Sequence, residues 1–202
     1  MSWIFRPLER GRLGRAAQRF AAHGWDVVPG ARWTGDRYRC DDAGCPTFGC
    51  HPATDHWELV ASHDPAIVAD WWRGMPYTVL LPTGTAFDVI EVPATIGNQA
   101  SRGAVIGPVA VAAGGRWMFL VRPGDGLRPE LADRPDIVLH GHGSWVPAPP
   151  TRERGGPIRW EISPDRASWR LPSSYAVQER LITALANARR GDRTHVSPAY
   201  AI

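Results

Sequence analysis

The chain has 202 residues and a net charge of +3, with 44% hydrophobic and 21% charged residues, a globular composition long enough for one domain with its own core. All 23 basic residues are arginine, so a Walker-type phosphate loop, a Schiff-base lysine and a lysine general base are excluded. The charge admits a nucleic-acid or phosphate partner without demanding one. No apolar run approaches the ~18 residues of a membrane span, and Arg6 and Glu9 stand where a signal peptide needs its apolar stretch. A cytoplasmic protein is expected, with cysteines reduced unless a metal holds them.

Residues 8–23 place Leu13, Ala16, Ala17 and Phe20 on one helical face, and Gly24 follows as a helix stop. Arg6, Arg10, Arg12, Arg15 and Arg19 read as the solvated side of that helix. Trp25–Pro29 reads as a short strand, and residues 30–62 as a long loop without periodicity. Asp64 and Pro65 open a second helix as N-cap and first-turn residue, with Ile67, Val68, Trp71 and Trp72 facing inward. Strands are expected at Tyr77–Leu81, Phe87–Val92, Val109–Ala112, Trp117–Arg122, Ile137–His140, Ser144–Val146 and Ile158–Ile162. Ala94–Arg102 reads as a short helix, and Ser174–Arg189 as a last one with Ala176, Val177, Leu181, Ile182 and Leu185 inward. Residues 1–190 then form one α/β or α+β domain, its mixed sheet flanked by helices, and 191–202 a flexible tail.

All three cysteines fall within eleven positions, in Cys40-Asp-Asp-Ala-Gly-Cys45-Pro-Thr-Phe-Gly-Cys50-His51. Zinc takes four N or S ligands in a tetrahedron, and Cys40, Cys45, Cys50 and His51 offer them. Adjacent ligands at Cys50 and His51 are awkward, so either Cys50 or His56 serves as the fourth ligand beside Cys40, Cys45 and His51. A structural zinc would order a loop that has no other means of ordering.

Five stretches carry a resemblance. They are His23-Gly24-Trp25-Asp26-Val27-Val28-Pro29, Gly49-Cys50-His51-Pro52, His63-Asp64-Pro65 through Trp71-Trp72, Pro82-Thr83-Gly84, and Gly143-Ser144-Trp145-Val146-Pro147-Ala148-Pro149-Pro150-Thr151. In this order and spacing they resemble the N-terminal domain of bifunctional DNA primase–polymerases, the prim-pol group of the archaeo-eukaryotic primase superfamily. More narrowly, the chain resembles short stand-alone versions found in actinobacteria, and the resemblance covers about residues 13–160. The resemblance implies DNA or nucleotide partners and nucleotidyl transfer by two divalent ions, Mg²⁺ or Mn²⁺. Two carboxylates at i and i+2 of one strand would hold them, with a later carboxylate and a phosphate-contacting histidine on a neighbouring strand.

Set on that pattern, Glu91 matches the first carboxylate and Asp136 the late one, while Pro93 and Trp117 stand at the second carboxylate and the histidine. Asp88 lies three residues from Glu91, which puts the two on opposite faces of a regular strand. Arg116 and Arg152 flank the cleft strands as candidate phosphate ligands. His140 and His142 with Asp136 form another possible metal or phosphate contact. The expectation is a primase/polymerase-like protein with degenerate metal motifs that binds nucleotide or nucleic acid with little or no transfer. The alternatives are a working enzyme using Glu91, Asp88 and Asp136, and a regulatory or interaction module on the same scaffold.

Overall fold

Helix α1 (Phe5–Ala22) turns Leu13, Ala17 and Phe20 into the core, and Gly24 follows it with a φ of +77°, the left-handed geometry that side chains resist. The computed structural model describes residues 5–40, 42, 45–103 and 106–194. Strand β1 (Val28–Gly30) is followed by a small hairpin, β2 (Arg32–Trp33) and β3 (Tyr38–Arg39), and by the single turn α2 (Trp57–Val60). The segment read as irregular thus carries short elements of its own.

Helix α3 (Pro65–Gly74) starts as its sequence dictates. The Asp64 carboxylate accepts from the backbone N–H of Ala66 at 2.8 Å and of Ile67 at 3.5 Å, a cap worth about 1 kcal/mol. Val68 and Trp72 are buried and Trp71 packs at the edge, but Ile67 is 45% exposed. One step along the helix rotates a side chain by roughly 100°, which carries Ile67 off the packed stripe and corrects its inward assignment.

The rest of the chain runs β4 (Thr78–Pro82), β5 (Asp88–Pro93), α4 (Ala94–Ala100), β6 (Val109–Val111), β7 (Arg116–Val121), α5 (Pro129–Ala132), β8 (Val138–His140), β9 (Trp145–Pro147), β10 (Arg152–Glu153), β11 (Gly156–Pro157), β12 (Arg159–Ile162) and α6 (Ser174–Thr194). Strands β1-β4-β9 form a three-stranded sheet and β12-β6-β7-β5-β8 a five-stranded one, with β2–β3 and β10–β11 as separate hairpins. Every pairing among the described residues is antiparallel, so the class is α+β and the mixed sheet expected from element order is corrected. The reason is local. Strands β5 and β6, joined through α4, run in the same direction, but β7 returns by a tight turn at Gly115 and inserts between them.

The five-stranded sheet separates two apolar clusters. On one face Ile90, Val92, Trp117, Phe119 and Val121 pack with Ile96 and Ala100 of α4 and with Val177, Leu181 and Leu185 of α6. On the other, Val89, Met118 and Leu120 pack with Val79 and Leu81 of β4, Val146 of β9, and residues of α1 and α3. Helix α6 continues to Thr194, so the first residues of the expected tail are helical, and 195–202 lie outside the described residues. No helix among the described residues is long and apolar enough to cross a membrane.

Candidate functional site

Alternation along β5 sets the site. Asp88, Ile90 and Val92 point toward α4 and α6, while Val89, Glu91 and Pro93 point the opposite way. Register carries Arg116 and Met118 of β7, and Val138 and His140 of β8, to the face of Glu91. Trp117 consequently lies across the sheet, 6% exposed and pressed against Gly97 of α4. The β7 residue that meets Glu91 is Arg116, and the histidine that does so comes from β8.

Glu91 is held at both oxygens. Arg116 Nε donates to Oε1 at 2.6 Å, and His140 Nε2 lies 2.8 Å from Oε2. A second nitrogen of Arg116 donates to the backbone carbonyl of Asp136 at 2.9 Å. Burial pushes the Glu91 carboxyl up, but the hydrogen bonds and charges of His140 and Arg116 outweigh it and hold the carboxyl below its ordinary range. The Asp136 carboxylate is gripped by Arg134 at 2.9 and 2.7 Å, a two-point contact that holds its carboxyl below its ordinary range as well. Asp88 is 4% exposed on the opposite face, where Oδ2 accepts from Gly124 N at 2.9 Å and Oδ1 has no hydrogen-bond partner. Of the three carboxylates singled out in the sequence, then, that of Glu91 is bonded by Arg116, that of Asp136 by Arg134, and that of Asp88 lies on the opposite face.

One group at the cleft escaped sequence reasoning. Glu153 sits on the two-residue strand β10, and its carboxyl is pushed up by burial and then by the charge of Glu91. It also influences Tyr38 and Cys50, whose ionisation is opposed first by burial and further by its charge. Tyr38 donates its hydroxyl proton to the carbonyl of Arg152 at 2.9 Å, fastening the β2–β3 hairpin to β10. The Arg152 side chain itself is exposed. A two-residue strand offers no period to read, so only the fold brings Glu153 to Glu91. His142 falls in the turn after β8 and does not share the strand face with His140.

Cys40, Cys45 and His51 each offer one ligand atom, and all three atoms lie within 4.8 Å of one another. Cys45 Sγ is 3.4 Å from His51 Nε2, while His51 Nδ1 donates to the Gly49 carbonyl at 2.8 Å, which fixes the ring and leaves Nε2 as the ligand nitrogen. Two thiolate sulfurs and an imidazole suit a borderline-soft ion such as zinc. Cys50, also read as a ligand, is turned away. Its sulfur lies 3.7 Å from the Thr78 hydroxyl, and burial pushes its thiol up to about 12. No contact places His56 with the other three among the described residues. The awkwardness of neighbouring ligands at positions 50 and 51 is resolved by their facing opposite ways.

A family model for the bifunctional DNA primase/polymerase N-terminal domain matches residues 17–174. The chain belongs to that family. No curated protein matches it. The match to the prim-pol domain covers both sheets and stops where α6 begins. The only carboxylate of β5 on the cleft face is saturated by a cation and a histidine, its same-face neighbour is a proline, and Asp136 is bound by Arg134.

Proposed function

We propose that this prim-pol domain binds nucleotide or nucleic acid and carries out little or no nucleotidyl transfer. The observation that carries the reading is the capture of both Glu91 oxygens by Arg116 and His140. A divalent ion entering there must displace a guanidinium already bonded to Glu91 and to the Asp136 carbonyl. In-line displacement needs paired ions on the attacking and leaving oxygens, and losing one preorganised group typically costs about 3–4 kcal/mol at the transition state. Two such losses slow the step by several orders of magnitude. Template-directed extension and primer synthesis with Mg²⁺ or Mn²⁺ test this. The expected product does not exceed that of a Glu91→Ala control, and robust synthesis that vanishes in the control overturns the reading. Phosphate binding falls to exposed arginines such as Arg152, so binding of short single-stranded DNA should weaken steeply with salt.

A second reading is favoured by Glu153. Its carboxyl feels the charge of Glu91, so an altered metal site would use these two groups in place of the family pair. Mn²⁺ binding lost in both Glu91→Gln and Glu153→Gln is its signature. Beside the cleft, Cys40, Cys45 and His51 support a structural zinc, for which protein purified without a metal-binding tag should contain about one ion per chain.

A further inference from the structure

We infer that Cys40 and Cys45 form a redox pair, which peroxide converts to a disulfide while Cys50 stays reduced. The inference adds to the zinc reading above, since on that reading the same oxidation expels the metal. Geometry carries it. The two sulfurs belong to one group of ligand atoms lying within 4.8 Å of one another, and both residues are half-buried, so a small oxidant reaches them. Closing the bond asks the sulfurs to approach from within 4.8 Å to about 2 Å.

The third thiol is excluded by its surroundings. Cys50 packs against Thr78 under the β2–β3 hairpin, and the Thr78 hydroxyl donates to the Ala31 carbonyl at 2.9 Å, leaving its oxygen to accept from the Cys50 thiol. Three cysteines within eleven positions would otherwise allow three pairings. The fold leaves one, because Cys50 faces the β4 side of the loop and the other two face His51.

The chemistry balances with hydrogen peroxide as the two-electron oxidant. One of the two sulfurs attacks a peroxide oxygen and the O–O bond breaks, giving a sulfenic acid and a hydroxide that leaves as water. The second sulfur attacks the sulfenic sulfur and the S–O bond breaks. A disulfide forms and the oxygen leaves as a second water. Two thiols have then lost two electrons and two protons, and the peroxide has become two waters. A disulfide sulfur carries no charge and is a poor ligand, so a bound ion would keep only His51 of the three described ligands and dissociate.

The consequence reaches the cleft through a short connection. Cys40 follows Tyr38 by two residues, and Tyr38 fastens the hairpin to the carbonyl of Arg152 at 2.9 Å, next to Glu153. A change in the Cys/His loop therefore bears directly on the strand that carries Glu153.

The test uses the full chain, reduced, desalted and assayed for metal. It is then treated with stoichiometric peroxide, blocked with an alkylating reagent and mapped by peptide mass. The expected result is a Cys40–Cys45 bridge, alkylated Cys50, and release of any metal in step with bridge formation. A bridge that includes Cys50, or absence of any intramolecular bridge, overturns the inference. The wild-type chain alone decides, so variants that fail to fold do no harm; Cys50→Ser should retain the bridge and Cys45→Ser should lose it. The two readings fail separately. A chain that holds no metal yet forms the bridge sinks the zinc and keeps the redox pair, whereas a metal-loaded chain inert to peroxide does the reverse.

Discussion

On one face of the five-stranded sheet, Ile90, Val92, Trp117 and Phe119 meet α4 and α6, with Asp88 the one charged side chain that β5 turns toward them. On the other face, Arg116 of β7 and His140 of β8 both hold Glu91 of β5. The backbone is shared, and the two-residue period of a strand is all that divides them. The helical face tolerates no added volume and depends on shape. The cleft face is open enough to hold charge, and depends on each charge having a partner. The two faces should therefore fail in different ways.

The largest effect is expected on the helical face. A Cβ built at Gly97 overlaps the Cβ and Cγ of Trp117, the fixed root of that side chain. Gly97→Val should cost about 3 kcal/mol or more, the upper end for overpacking, because neither backbone can retreat without parting α4 from the sheet. Chemical denaturation measures it, and the loss should not depend on pH. A neutral result would mean that α4 sits less tightly on β7 than the contacts indicate.

On the cleft face Glu91→Gln should cost about 1–2 kcal/mol at neutral pH, discounted for the partial exposure of the ion pair. Its pH dependence is the sharper signature. The Glu91 carboxyl is held below its ordinary range in the folded protein, so its contribution is present above the unfolded value and is lost as pH falls through the folded one. The gap between wild type and variant should close on acidification, and a gap that stays constant would show that Glu91 is not the charged partner of Arg116 and His140.

Tyr38→Phe removes the bond to the Arg152 carbonyl and should cost about 1 kcal/mol. It should also speed alkylation of Cys50, whose buried thiol lies close to Tyr38. Unchanged alkylation would mean that Thr78 and the loop alone protect the thiol. The smallest effect is expected at Asp88. Its Oδ1 has no partner to lose, and a side-chain amide oxygen in its place would still accept from Gly124 N. Asp88→Asn should therefore change stability by less than about 1 kcal/mol. A loss comparable to that of Glu91→Gln would erase the contrast between the faces.

These contrasts were partly legible in the sequence. The separation of Asp88 and Glu91 follows from three steps along a strand, and the start of α3 from Asp64 and Pro65, because both rest on local periods and caps. Trp117 shows the limit. Its position on β7 is readable, but which face it takes depends on register with β5, and register puts Arg116 opposite Pro93, on the face of Glu91. His140 reaches Glu91 through the pairing of β8 with β5, a long-range contact that no window of sequence contains. Glu153 is further from reach still, on a two-residue strand placed by its hairpin. The Cys/His group was visible as a cluster, while the turning away of Cys50 depends on Thr78, which lies far along the chain.

Arg116 gives the cleft a property that a bound ion cannot. A metal obeys mass action, so its occupancy rises and falls with its free concentration and vanishes in chelator. A guanidinium anchored on β7, 2.6 Å from Glu91, is present at the same effective concentration whatever the solution contains. The counter-charge of Glu91 is thus written into the covalent chain and travels with it.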